Sequence, residues 1–86
     1  MRQLILDPNA LEDLHWWLKT DKRMLQKILQ LFEETLRDPF QGRGKPEALK
    51  FDLAGCWSRR ISLEHRLVYE VTEDLVRILS CRFHYR

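Results

Sequence analysis

Leu75-Val76-Arg77-Ile78-Leu79-Ser80-Cys81 runs straight into Arg82-Phe83-His84-Tyr85-Arg86, and the reading of this stretch decides the fold. The apolar, partly β-branched run reads as a strand. Chain ends usually fray unless something ties them down. A strand reaching this far would hold His84 and Tyr85 almost to the last residue. A histidine held among arginines points to work on an anion, most directly a phosphate. A frayed basic end is the other reading.

Two further β runs precede it, Trp57 to Ser62 and Arg66 to Thr72. Glu73-Asp74 marks a tight hairpin, and Ser62-Leu63-Glu64-His65 a looser one. Sequential strands with short links predict an antiparallel meander. Side chains alternate between the faces of a sheet. Leu79, Cys81 and Phe83 are the apolar set of the last strand, so they are expected inward, with Ser80, Arg82 and His84 outward. Leu67, Tyr69 and Val71 are expected inward on the middle strand, opposite Arg66, Val68 and Glu70. On the first run Trp57 and Ile61 are apolar, while Ser58, Arg60 and Ser62 are polar. Arg60, Arg66, Arg82 and His84 would then share one face. For Arg60 and Arg66 this requires an odd hairpin loop, which the sequence leaves open. Antiparallel sheets often turn a polar face to water. These cations would repel one another unless an anion lies between them.

The first half supplies the other layer. Gln3-Leu4-Ile5-Leu6 reads as a short strand, and Asp7-Pro8 as an N-cap with proline at the first helical position. Leu11, Leu14 and Leu18 form the stripe of an amphipathic helix. Thr20-Asp21 breaks and recaps. Met24, Leu25, Ile28, Leu31, Phe32 and Thr35 or Leu36 give the second helix the clearest period in the chain. It should stop at Asp38-Pro39, because the residue before proline disfavours helix. The fold class expected is α+β: an N-terminal strand and a two-helix hairpin on one face of an antiparallel sheet.

With 86 residues there is room for one domain, spanning 1–86. A hydrophobic content of 44% is enough for a core, so disorder is not expected. The apolar run at the start is too short for a signal peptide, and no stretch approaches a membrane span. The expected setting is a reducing cytoplasm, with Cys56 and Cys81 as free thiols. Residues 1–38 hold six Lys/Arg against seven Asp/Glu, whereas residues 39–86 hold nine against six. The basic excess therefore lies beside the histidine and favours an anionic partner there.

Phe40-Gln41-Gly42-Arg43-Gly44-Lys45-Pro46-Glu47 reads as a loop, and it carries charge. Gly42-Arg43-Gly44 lacks the spacing and ending of a phosphate-binding P-loop. The histidines and cysteines have no metal-ligand spacing, and no Ser-His-Asp set is recognisable. His15, among helix residues, reads as a surface or partly buried histidine. What remains is one loop carboxylate, one histidine and several cations: Glu47, His84, Lys50, Arg60 and Arg66. Those types suit RNA cleavage by transesterification. A base takes the 2′-OH proton, an acid protonates the leaving 5′-oxygen, and cations hold the phosphate charge. Glu is ionised at neutral pH, and an unperturbed imidazole has a pKa of roughly 6.5. Arginine's fork fits two phosphate oxygens at once. The chemistry requires no metal or cofactor.

Thr20-Asp21-Lys22-Arg23, Asp38-Pro39-Phe40-Gln41-Gly42-Arg43-Gly44-Lys45-Pro46-Glu47-Ala48-Leu49-Lys50 and Leu53-Ala54-Gly55-Cys56-Trp57-Ser58-Arg59-Arg60-Ile61 together resemble the YoeB toxins of the RelE superfamily. So do Glu64-His65-Arg66-Leu67-Val68-Tyr69 and Cys81-Arg82-Phe83-His84-Tyr85. The resemblance implies a ribosome-dependent endoribonuclease cutting mRNA in the A site, held inactive by a cognate antitoxin of the YefM/Phd type. By that resemblance Glu47 is the general base, His84 the general acid, and Arg66 the transition-state stabiliser. Lys50 and Arg60 support it, and Tyr85 positions or stacks on the mRNA. Arg43 and Arg82 match in position, with roles inferred from charge. Homodimerisation is expected by analogy, with Trp16 or Trp17 at the interface; a ring lying flat over the helix end is the alternative. Two positions depart from the pattern: Arg86 follows the usual His-Tyr end, and Ala48 stands where a second proline is common. The competing reading is a non-catalytic RelE/ParE-fold basic protein that blocks translation or another target by binding.

Overall fold

The computed structural model describes residues 1–83; His84, Tyr85 and Arg86 lie outside the described residues. The order is β1 (Gln3–Leu6), α1 (Pro8–Thr20), α2 (Lys22–Arg37), β2 (Glu47–Ala48), a 3₁₀ turn (Phe51–Leu53), β3 (Cys56–Arg60), β4 (Arg66–Val71) and β5 (Leu75–Ser80). The strands form one sheet in the order β1-β5-β4-β3-β2. From β2 to β5 the pairings are antiparallel, as the short links require. β1 adds itself parallel to β5, so the sheet is mixed. The two helices between β1 and the meander supply the crossover a parallel pair needs.

Asp7 caps α1 by accepting from Asn9 N–H at 3.1 Å. Asp21 ends α1, its N–H donating to Trp17, and starts α2, its carboxylate accepting from Met24 N–H. One residue therefore makes the whole helix–helix turn. The period of α2 holds, with Ile28, Leu31, Phe32 and Thr35 buried and Met24 and Leu25 packed on the core.

The α1 stripe does not hold. Ala10, Asp13 and Trp17 are the buried residues, while Leu11 and Leu18 are each 48% exposed. Two polar groups decide that orientation. The Trp17 indole N–H donates to the Cys81 carbonyl at 2.8 Å, and the Asp13 carboxylate accepts from Cys81 N–H at 3.0 Å. Trp17 is thus a core residue, and Trp16 packs half-buried against its edge.

Leu67 and Tyr69 lie in the helix-side core and Val71 packs on it, as expected. The last strand departs from expectation. Val76 and Ile78 are its inward residues, Leu79 is only half-buried, and Phe83 is exposed. The pairs Tyr69–Ile78 and Val68–Ser80 leave Leu79 as an extra residue, a β-bulge. The bulge shifts the phase, so Cys81 turns inward although Ile78 does too. Cys56 and Cys81 form no disulfide among the described residues; Cys81 lies in that core and Cys56 across from Glu70. Among the described residues no helix is long and apolar enough to cross a membrane.

Candidate active site

β3 and β4 place Arg60 directly opposite Arg66. Residues facing across an antiparallel pair share a face, so the two guanidinium-bearing side chains start from the same side. The row Glu47–Ser58–Val68–Ser80 crosses β2, β3, β4 and β5 on that same side. Ser58 and Arg60 are two apart on β3, which fixes Glu47 and Arg60 to one face. It is the face without helices. The three inner members of the row are short side chains. They form a low floor with Glu47 at one end and the arginine pair alongside.

Glu47 is not on the expected loop. It opens β2 and is exposed. The preceding turn reaches it through two left-handed residues, Gly44 at φ 84° and Lys45 at φ 52°. A Cβ on Gly44 would lie 2.8 Å from the Arg60 carbonyl oxygen, while Gly44 O accepts from Arg60 N–H at 2.6 Å. Only glycine permits this approach, which ties the Glu47 loop to the backbone of Arg60.

Arg59 completes that tie, and the strand reading gave it no role. It is 0% exposed, on the helix side between Trp57 and Ile61. Its guanidinium donates to the carbonyls of Arg43 (3.0 Å), Gln41 (2.9 Å) and Asp38, and to the Tyr69 hydroxyl (3.2 Å). Tyr69 in turn donates to Pro39 O at 2.6 Å. Asp38 also caps the C-terminus of α2, where the helix dipole favours a cation. Burial pushes the Tyr69 pKa up, and the Arg59 contact opposes it. The hydroxyl therefore remains a donor to Pro39. The inward phase of Trp57, Arg59 and Ile61 was the available sequence signal: a charge at an inward position needs a built set of acceptors.

Arg66 is held by its own turn, donating to Ser62 O at 3.0 Å and His65 O at 3.4 Å. Its backbone N–H donates to Phe83 O at 2.7 Å. The Phe83 N–H donates to His65 Nδ1, also at 2.7 Å, and the His65 ring stacks edge-on to Trp17 with centroids 4.8 Å apart. With Asp13 and Trp17 on Cys81, the segment that leads to His84 is anchored residue by residue beside Arg66. His84 and Tyr85 themselves lie outside the described residues.

Two expected members stand elsewhere. Arg82 does not join Arg60 and Arg66. Its guanidinium lies 3.8 Å from the Trp16 ring centroid and 4.5 Å from that of Phe83, a cation–π stack against α1. β5 ends at Ser80, so the alternation that predicted otherwise does not extend to Arg82. Lys50 is exposed and begins the 3₁₀ turn, next to the Leu49–Cys56 hydrogen bond at the opposite end of β3 from Arg60. Arg43 reaches back to Glu34 on α2 at 3.5 Å. The described residues therefore bring Glu47, Arg60 and Arg66 to one face and hold Lys50 at its border.

Comparison with known proteins agrees with this architecture. The family described as YoeB-like toxin of bacterial type II toxin-antitoxin system matches residues 6–85. Toxin YoeB of Escherichia coli K12 is 52% identical over 83 residues, covering 96% of this chain and 99% of that protein. The solved YoeB/ParE toxin from Agrobacterium tumefaciens superposes with a TM-score of 0.92 at 46% identity, covering 96% of this chain and 99% of that one. YoeB from Staphylococcus aureus has been solved as a dimer (TM-score 0.87, 42% identity, 98% of each chain) and in a YoeB-YefM complex (0.85, 41%, 99% of each). Identity of this extent over nearly the whole of both chains leaves no room for a different fold, and the chain belongs to the YoeB-like toxins of bacterial type II toxin-antitoxin systems.

Proposed function

We propose that this toxin is a metal-independent endoribonuclease that cuts mRNA in the ribosomal A site and so halts translation. The observation that carries this reading is the common face of Glu47, Arg60 and Arg66, with the backbone of Phe83 bound to Arg66. The next residue along is the general acid of the scheme, His84.

Glu47 takes the proton of the 2′-OH, and the freed oxygen attacks the neighbouring phosphorus. The bond to the 5′-oxygen breaks, and His84 supplies the proton to that leaving oxygen. A 2′,3′-cyclic phosphate and a free 5′-OH result. Arg66 and Arg60 meet the charge that grows on the non-bridging oxygens; the turn carbonyls already hold Arg66 in place, so little reorganisation is needed. Lys50 draws the RNA in by charge, and Tyr85 stacks on a base. Each proton-transfer role is worth on the order of 10²–10⁴ in rate.

The partner that keeps it inactive is an antitoxin of the YefM type, in line with the Staphylococcus aureus complex, and the setting is the cytoplasm. Its acidic segment covers the basic face by folding on it. A homodimer follows the Staphylococcus aureus YoeB dimer.

Mapping of mRNA 5′ ends on purified ribosomes tests the reading. New ends at the A-site codon are expected with the wild type and not with Glu47→Gln. Arrest of translation without new ends would leave a toxin that acts by binding alone.

A further inference from the structure

Beside the arginine pair, between α2, the Gly44–Lys45 turn and the β3–β4 connection, lies a cavity of about 400 Å³. Four cations line it: Lys27, Arg43, Lys45 and Arg60. None of its lining residues is a carboxylate. Apolar side chains line it too: the buried Leu31 and Ile61 and the exposed Leu63. Lys27 spans the hollow, its ammonium donating to Ile61 O. The Glu34 contact of Arg43 is at 3.5 Å, with the arginine side chain 71% exposed, so solvent screens it and the cation remains available.

We propose that this hollow is a second RNA subsite, which takes a nucleotide flanking the cleaved phosphate. The inference rests on the nuclease reading above. Arg60 links the two places: it faces Arg66 across the sheet, and it also lines the hollow. The hollow opens on the α2 side at the end of β3, so a single strand lying on the Glu47 face enters it by turning over the sheet end at Arg60. Its phosphate meets Arg43, Lys45 and Lys27, and its base lies against Leu63 and the apolar lining. The volume lies within the range of about 300–1,000 Å³ usual for ligand pockets. A lining that mixes apolar side chains with cations matches a nucleotide, whose flat base and charged phosphate need opposite surroundings. Four like charges around one hollow also leave a repulsion that an anion relieves.

The test uses the whole protein and a fluorescein-labelled single-stranded RNA of ten nucleotides, made uncuttable by 2′-O-methyl groups. Binding is measured by anisotropy over a range of salt concentrations, for wild type and for the double variant Arg43→Gln/Lys45→Gln. Both side chains are at the surface. Loss of the cations around this one phosphate makes the log–log salt slope shallower by up to roughly 0.7, the value for one single-strand phosphate. An unchanged slope in the double variant overturns the subsite. So does a variant that keeps RNA affinity but loses affinity for an acidic peptide, which would assign the hollow to a protein segment. Wild type with no salt-dependent RNA binding overturns it as well. None of these outcomes bears on 5′-end mapping at the A site, so failure of the subsite and failure of the nuclease reading are distinguishable.

Discussion

The backbone N–H of Arg66 donates to the carbonyl of Phe83 at 2.7 Å, although β5 has already ended at Ser80. This bond continues the sheet for one more step beyond its regular edge. It holds Phe83 beside the Arg60–Arg66 pair, and α1 anchors Cys81 just before it.

Asp13 is the most consequential of those anchors. Its carboxylate accepts the buried Cys81 N–H at 3.0 Å. Asp13→Ala strands that donor, at about 1–3 kcal/mol. Urea unfolding will show the loss, and amide exchange at Cys81 and Phe83 will accelerate more than exchange in β4. On the proposed mechanism activity will fall further than stability alone accounts for, because the Cys81–Phe83 segment is released while Glu47, Arg60 and Arg66 remain in place.

Arg59 holds the other side of the site. Arg59→Lys cannot serve three carbonyls and a hydroxyl at once, because an ammonium lacks the planar fork. The expected cost is on the order of 3 kcal/mol. A measured change below about 1 kcal/mol would contradict the clamp.

Gly44 and Gly55 both have positive φ, but only Gly44 is crowded. Gly55→Ala meets nothing within 4 Å and bears only the left-handed strain, about 1–2 kcal/mol. Gly44→Ala adds the collision with Arg60 O and should exceed it by about 1 kcal/mol or more. Thermal unfolding of the two variants gives the comparison directly.

Tyr69 predicts an alkaline dependence. Burial raises its pKa above the ordinary value of 10.0, so the folded state favours the neutral phenol. That stabilisation is fully present below the unfolded pKa and is lost as pH rises through the folded one. Stability of the wild type should decline more steeply above about pH 10 than that of Tyr69→Phe, for which this component is absent. Equal slopes in denaturant titrations would contradict the buried Tyr69–Pro39 bond.

α2 was legible because Met24, Leu25, Ile28, Leu31 and Phe32 obey one period, with Leu29 the one apolar residue turned outward. Arg60 and Arg66 were legible because β3 and β4 pair without a bulge. The misreadings of α1 and of Arg59 have one common cause, which is polar burial. Asp13, Arg59 and the Trp17 N–H face inward to satisfy backbone groups, and hydrophobic periodicity assigns such residues to the wrong side or to none. The phase of β5 was lost to the bulge at Leu79, since alternation carries no signal for one inserted residue. Arg82 left the expected face because β5 ends at Ser80, beyond which strand alternation no longer applies. The meeting of Glu47 with the arginine face depends on β2, only two residues long, too short for any pattern to announce.

The chemistry is tested most directly by an mRNA carrying a single 2′-deoxynucleotide at the 5′ side of the A-site cut, programmed on purified ribosomes. With the attacking hydroxyl gone, cleavage at that bond should disappear, while toxin binding and cleavage of the all-ribose control persist. Cleavage of the deoxy-substituted bond at the control rate would contradict 2′-OH transesterification on the Glu47–Arg60–Arg66 face.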